Sequence, residues 1–267
     1  MISPAQITAF HKKIFSWYAV HKRDLPWRQT TDPYAILISE VMLQQTQVDR
    51  VIPKYQAWLS VFPDFSSLAF ASVADVLRLW SGLGYNSRAL RLHRLAQDVV
   101  TQYHGQLPLD PLLLLQLPGI GPYTCKSVLI FAFNVDMVCV DTNIRRILIA
   151  ELGLAENLSF TALETVALEV LPLGKSRDWH NALMDYGALQ LTSRTSGIRP
   201  VSRQSHFLGS RRMYRGRILQ LLIAQKEVSI SSLLETLSCE EIFLRSIVSD
   251  LAKEGLIVVS HDVLRLP

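Results

Sequence analysis

Apolar residues recur at the 3.6-residue period of an amphipathic helix through most of the first 190 positions. The pattern predicts helices over 4–20, 33–45, 48–61, 73–81, 86–103, 110–116, 122–133, 142–152, 160–171 and 177–190. Strand-like alternation is nearly absent there, and the breaks carry turn residues such as Phe62-Pro63-Asp64, Gly82-Leu83-Gly84 and His104-Gly105. Periodicity fails over 192–210, TSRTSGIRPVSRQSHFLGS, which reads as an irregular connector. It resumes in shorter pieces: a helix over 211–224, capping-box signatures at Ser232–Glu235 and Ser238–Glu241, and a hairpin from 256–259 and 263–266. The chain therefore reads as mostly α, with a small C-terminal winged-helix-like module. The second and third helices of that module carry Glu240, Glu241, Asp250 and Glu254, a poor face for a DNA groove, so its expected role is docking or stabilisation, with DNA contact limited to its basic first helix.

Composition narrows the class. A length of 267 residues suffices for one large domain or two modest ones with real cores. Cys125, Cys139 and Cys239 are odd in number, widely spaced and set in apolar or helical contexts, as free thiols in a reducing compartment would be. No uncharged run reaches the span of a bilayer, which gives the expectation of a cytosolic chain without a membrane partner. The net charge of +4 is mild but unevenly distributed: Tyr186 to Lys226 holds no carboxylate and eight cations, among them Arg194, Arg199, Arg203, Arg211, Arg212 and Arg215. Such segregation favours a polyanion over a solvated linker, in which Glu and Asp would be mixed.

The most distinctive local pattern is LPGIGPYT, 117–124. Gly119 and Gly121 fit a tight bend, and Pro122 fits the first position of a following helix. A bend between helices is a sufficient account, but backbone N–H groups at Ile120 and Gly121 beside a helix N-terminus also make an anion site. No Gly-Lys-Ser/Thr follows and no strand precedes, so a nucleic-acid phosphate is a better candidate than a nucleotide triphosphate. Downstream, Asp141 in VDTN has the look of a helix N-cap. Glu40 sits in ISEVML among apolar neighbours, where burial would raise its pKa. Two carboxylates in unlike environments can divide acid and electrostatic duties, as in glycoside hydrolysis.

Taken in order, LPWR, SEVMLQQTQV, WSGLGYNSRALRL, LPGIGPYT and VDTNIRRI resemble the helix-hairpin-helix Gly/Pro-Asp superfamily of DNA glycosylases, and its MutY-type adenine-glycosylase branch in particular, from about residue 6 to 190. The resemblance implies a bilobal helical fold, with an N-terminal helix (1–29) packing on the second lobe, a helical barrel with the hairpin (30–136), the second lobe (137–191), a basic connector (192–210) and the C-terminal module (211–267). It implies a monomer acting on double-stranded DNA in the nucleoid, flipping out an adenine opposite 8-oxoguanine or guanine and hydrolysing its glycosidic bond. Residue by residue, it gives Glu40 the protonation of adenine N7 and Asp141 the stabilisation of the oxocarbenium-like sugar, with Asn143 in support. Tyr123 stands where lyase relatives carry a Schiff-base lysine. Gln45 and Tyr85 match positions that wedge into the base stack. Trp27, Arg28 and Asn181 match the adenine-pocket wall.

Two departures stand out. The branch usually carries four cysteines for a [4Fe–4S] cluster after the stretch here reading NALMDYGALQLT; no cysteine lies between Cys139 and Cys239, so the expectation is a clusterless member without a metal, its connector arginines taking up DNA contacts. The C-terminal module stands where many relatives have a MutT-like domain. Two rival readings remain: a glycosylase/lyase on damaged pyrimidines or G·T mismatches that recruits Lys126 as the amine, and a lesion-binding protein without catalysis.

Overall fold

A computed structural model of the chain describes residues 2–199 and 206–267. In order, its elements are α1 (Pro4–His21), a 3-10 turn (Pro26–Arg28), α2 (Pro33–Leu43), α3 (Val48–Val61), α4 (Phe65–Ala69), α5 (Val73–Trp80), α6 (Ser87–Tyr103), α7 (Pro111–Leu114), α8 (Pro122–Phe133), α9 (Thr142–Leu152), α10 (Phe160–Glu169), α11 (Ser176–Leu189), α12 (Ser193–Ser196), α13 (Arg211–Gln225), β1 (Glu227–Ser229), α14 (Ile230–Leu237), α15 (Glu241–Lys253), β2 (Val258–Ser260) and β3 (Val263–Arg265). They fall into two compact units, one drawn from 1–40, 109–115 and 120–203, the other from 41–108, 116–119 and 204–267. Among the described residues, no helix is long and apolar enough to cross a membrane.

In the first unit, α1 and α9 pack on α11. Phe10 and Ile14 meet Ile144, Ile147, Trp179 and Leu183 in one buried cluster, with the Phe10 ring edge-on to Trp179 at 5.2 Å. Gly187 sets how closely α9 and α11 approach: a Cβ there would lie 2.8 Å from the Asn143 Cβ. Gly187→Ala is therefore expected to cost about 1–3 kcal/mol in a denaturant melt, the usual range for an overpacked contact. In the second unit, the wholly buried Trp58 of α3 and Trp80 of α5 meet edge-on at 5.6 Å.

The C-terminal segment belongs to this second unit, where α13 packs on α15 and on α5. Its sheet has three strands in the order β1-β3-β2, both pairs antiparallel, with the buried Val228 opposite the buried Leu264. The sequence pattern predicts the β2–β3 hairpin but not β1. Both predicted capping boxes are corrected. Once β1 has paired with β3, the chain enters α14 at Ser229, whose hydroxyl accepts from Ser232 N–H at 3.1 Å, so Ser232–Glu235 lies inside the helix. Ser238 ends α14 in the left-handed region (φ 47°), and α15 starts after Glu240. The connector is also less irregular than expected: Thr192 caps the single turn of α12, and Ile198 is buried against Ile149 and Leu163.

Candidate active site

Glu40, Tyr123 and Asp141 are brought together in the first unit, on α2, α8 and the N-cap of α9. Glu40 is 8% exposed. Burial pushes its carboxyl up to about 7; the Ser127 hydroxyl opposes this, and the charge of Asp141 adds to it. At neutral pH the acid and the carboxylate are thus both populated. Asp141 faces different surroundings. Burial raises it too, and the net shift is upward, but it accepts from Ile144 N–H at 2.7 Å and from Asn143 Nδ2 at 3.0 Å, and these bonds together with Arg146 limit the rise. Tyr123 is held neutral by burial first and then by the Glu40 charge; its hydroxyl meets the buried Cys139 thiol, itself held protonated by burial.

The Asn143 amide is oriented from behind. Arg146 is buried and donates from Nε to Leu191 O at 2.7 Å, and from Nη2 to Gly187 O at 2.8 Å and to Asn143 Oδ1 at 2.6 Å. With its oxygen taken by a cation, the amide can offer only N–H to Asp141. His180 fixes the approach to Asp141: it contacts Ser176 O through Nδ1 at 2.7 Å and accepts from Cys139 N–H at 3.3 Å. Burial lowers its pKa to about 4, so it is neutral.

The hairpin has the expected backbone. Gly119 lies at φ +85°, where an added Cβ would also meet Arg91 Cβ at 3.0 Å, and Gly121 caps α8 with open space around its Cα. Among the described residues, no acceptor takes the N–H of Ile120 or Gly121. Unpaired N–H groups at a helix start are an available anion site.

The remaining expected residues are placed less uniformly. Trp27 is buried on the 3-10 turn, and Asn181 lies half-buried on α11. Arg28 is committed to the fully buried Asp185 by two bonds of 2.6 and 2.7 Å, and Arg23 adds a third side-chain bond at 2.6 Å. Burial pushes Asp185 up, but these donors outweigh it and hold the carboxyl below its usual range. Lys126 is paired with Glu164. Gln45 and Tyr85 belong to the second unit, both in the left-handed region at φ 54° and 47°. Arg194 and Arg199 are exposed, and Arg203 lies outside the described residues. Among the described residues, no group of three or more His, Cys, Asp or Glu side chains converges to hold a metal ion.

Sequence reasoning missed Ser127, Cys139, Arg146, Asp185 and Arg88. Asp185, in ALMDYGAL, carries the signal that singled out Glu40, a carboxylate in an apolar run.

Residues 38–166 match the model of the HhH-GPD superfamily of base excision DNA repair proteins. That span contains Glu40, the hairpin, Asp141 and Asn143. An adenine DNA glycosylase of Mycolicibacterium smegmatis is 38% identical over 231 residues, 79% of each chain. The adenine DNA glycosylase of Rattus norvegicus is 36% identical over 81% of this chain and 45% of its own length. Among solved structures, a thermostable thymine-DNA glycosylase superposes with a TM-score of 0.68 at 32% identity, covering 72% of this chain and 90% of that one. The chain belongs to the HhH-GPD superfamily of base excision DNA repair proteins and, within it, to the family of the adenine DNA glycosylases.

Proposed function

We propose that this protein is a monofunctional adenine DNA glycosylase that hydrolyses the glycosidic bond of an adenine flipped from duplex DNA, opposite 8-oxoguanine or guanine. The observation that carries this reading is the pair of unlike carboxylates. Glu40, poised near neutrality, delivers a proton to the departing base, while Asp141, accepting from Ile144 and Asn143, opposes the positive charge that develops on the sugar. Tyr123 has no amine for a Schiff base, and Lys126 is held by Glu164, so hydrolysis leaves an abasic site and an unbroken strand.

Around this chemistry, Gly119, Ile120 and Gly121 bind a backbone phosphate, and Gln45 and Tyr85 enter the base stack. Trp27 and Asn181 wall the base pocket. Arg28 holds that wall through Asp185 and does not reach the base freely. Arg194, Arg199 and Arg203 add phosphate contacts from a connector with no iron–sulfur cluster; the three cysteines, spread over 125, 139 and 239, favour a clusterless member. The C-terminal helices and three-stranded sheet make a winged-helix-like module. A second reading, release of thymine from G·T mismatches, draws support from the thymine-DNA glycosylase likeness.

The test is single-turnover base release from duplexes carrying A·8-oxoguanine, A·G, A·C and T·G, with and without alkali, across pH. Adenine release that breaks the strand only after alkali is expected, with a rate that falls as pH rises through about 7, because only protonated Glu40 can donate. Glu40→Gln should lose the rate and the titration together. Thymine release without adenine release would transfer the assignment to the second reading.

A further inference from the structure

Within the second unit, a cleft of about 700 Å³ opens between the Gln45 and Tyr85 loops on one side and Phe207, Arg212 and Arg215 on the other. Its charge is one-sided. Glu254, the one carboxylate lining it, is taken by Arg215 at 2.6 Å, whereas Arg212 has no carboxylate partner among the described residues. Instead, the Arg212 guanidinium donates to the Tyr85 hydroxyl at 2.7 Å and lies 5.4 Å from the Tyr85 ring centroid and 5.3 Å from that of Phe207. Two aromatic faces stabilise such a cation without neutralising it, so its donors remain suited to an anion. Phe207 is 53% exposed, an apolar ring left at the rim of a basic cleft.

A cation with no counter-ion beside an exposed ring is what a single nucleotide requires, one group for the phosphate and one for the base. We propose that the C-terminal module is a DNA-contacting part of the molecule, in which this cleft takes one nucleotide of the bound duplex, its phosphate at Arg212 and its base against Phe207. Arg212 is at the same time a positioning residue for Tyr85, holding the phenol at the cleft mouth. This inference rests on the reading that the chain binds duplex DNA for base excision, and it gives the contact expected of the module's basic first helix a defined place and a base-stacking ring.

The test measures affinity for an uncleavable A·8-oxoguanine analogue duplex over a range of salt, with Arg212→Ala, Arg212→Lys and Phe207→Ala, alongside thermal midpoints. Arg212→Ala is expected to weaken binding about tenfold and to lower the slope of log K against log salt by about one, and Arg212→Lys to restore the slope. Phe207→Ala should weaken binding about tenfold with the slope unchanged, and should restore the fluorescence of a 2-aminopurine quenched by stacking in the parent complex. Variants that lower the thermal midpoint while affinity, slope and quenching stay at parent values would overturn the proposal and make the cleft an internal packing joint. Because affinity is read without turnover, a parent protein that binds as expected but releases no adenine would sink the glycosylase reading and leave the cleft assignment standing.

Discussion

Asp141→Asn is expected to slow base release by at least about 10³-fold, some 4 kcal/mol of transition-state stabilisation, while affinity for a lesion duplex stays within a few-fold of the parent. Burial makes the lost charge count for more than it would in water. The fold should tolerate the change, because Asn caps a helix as well as Asp and its carbonyl can still accept from Ile144 N–H. One cost remains. Arg146 fixes the Asn143 amide with its N–H toward position 141, so the new amide must present oxygen to both Ile144 and Asn143 or lose one bond. Single-turnover kinetics, binding and a denaturant melt on the same preparation separate these effects. A rate within tenfold of the parent would remove Asp141 from the chemistry.

The largest loss of stability is expected from Arg88→Ala, about 3–5 kcal/mol by denaturant unfolding. Arg88 is buried, and its two terminal nitrogens donate to Val41 O at 2.6 Å, Gln44 O at 2.7 Å, Gly84 O at 3.1 Å and Leu83 O at 3.3 Å. It therefore ties the end of α2 to the loop before α6, and its guanidinium lies 5.1 Å from the Trp80 ring centroid and 5.5 Å from that of Tyr85. Burial lowers its pKa to about 10, which still leaves it charged near neutrality. Truncation strands carbonyls from two loops at once, and both carry a left-handed residue, Gln45 or Tyr85. Arg88→Lys should recover only part of the loss, since one ammonium cannot reach both loops. A loss below 1 kcal/mol in the alanine variant would mean that water replaces the guanidinium freely.

Much of the candidate site is legible in the sequence because its residues are marked by local patterns. The hairpin glycines, the cap at Asp141 and the lone carboxylate of α2 each leave a pattern a few residues long. Arg88 and Arg146 leave none. Their partners are mainly backbone carbonyls, which every residue possesses, so no side-chain spacing marks them. The cap of α14 was misread for a related reason. Ser232–Glu235 is the better box in isolation, yet pairing of β1 with β3 delivers the chain to the helix three residues earlier, a tertiary choice no local signal records. The commitment of Arg28 to Asp185 joins positions 157 residues apart, beyond any periodicity.

The close approach at Gly187 limits how this chain can change over generations. A larger residue at 187 would collide with Asn143, and the usual remedy for such a collision is a smaller partner. Here the partner is the amide that Arg146 orients toward Asp141, so the repair that would relieve the packing would dismantle the support of the carboxylate. Large-for-small exchange, which lets most helix pairs drift together, is expected to cost activity at this crossing. A variant at 187 is therefore expected to lose base release along with stability, and to find its suppressors in changes that move α11 as a whole.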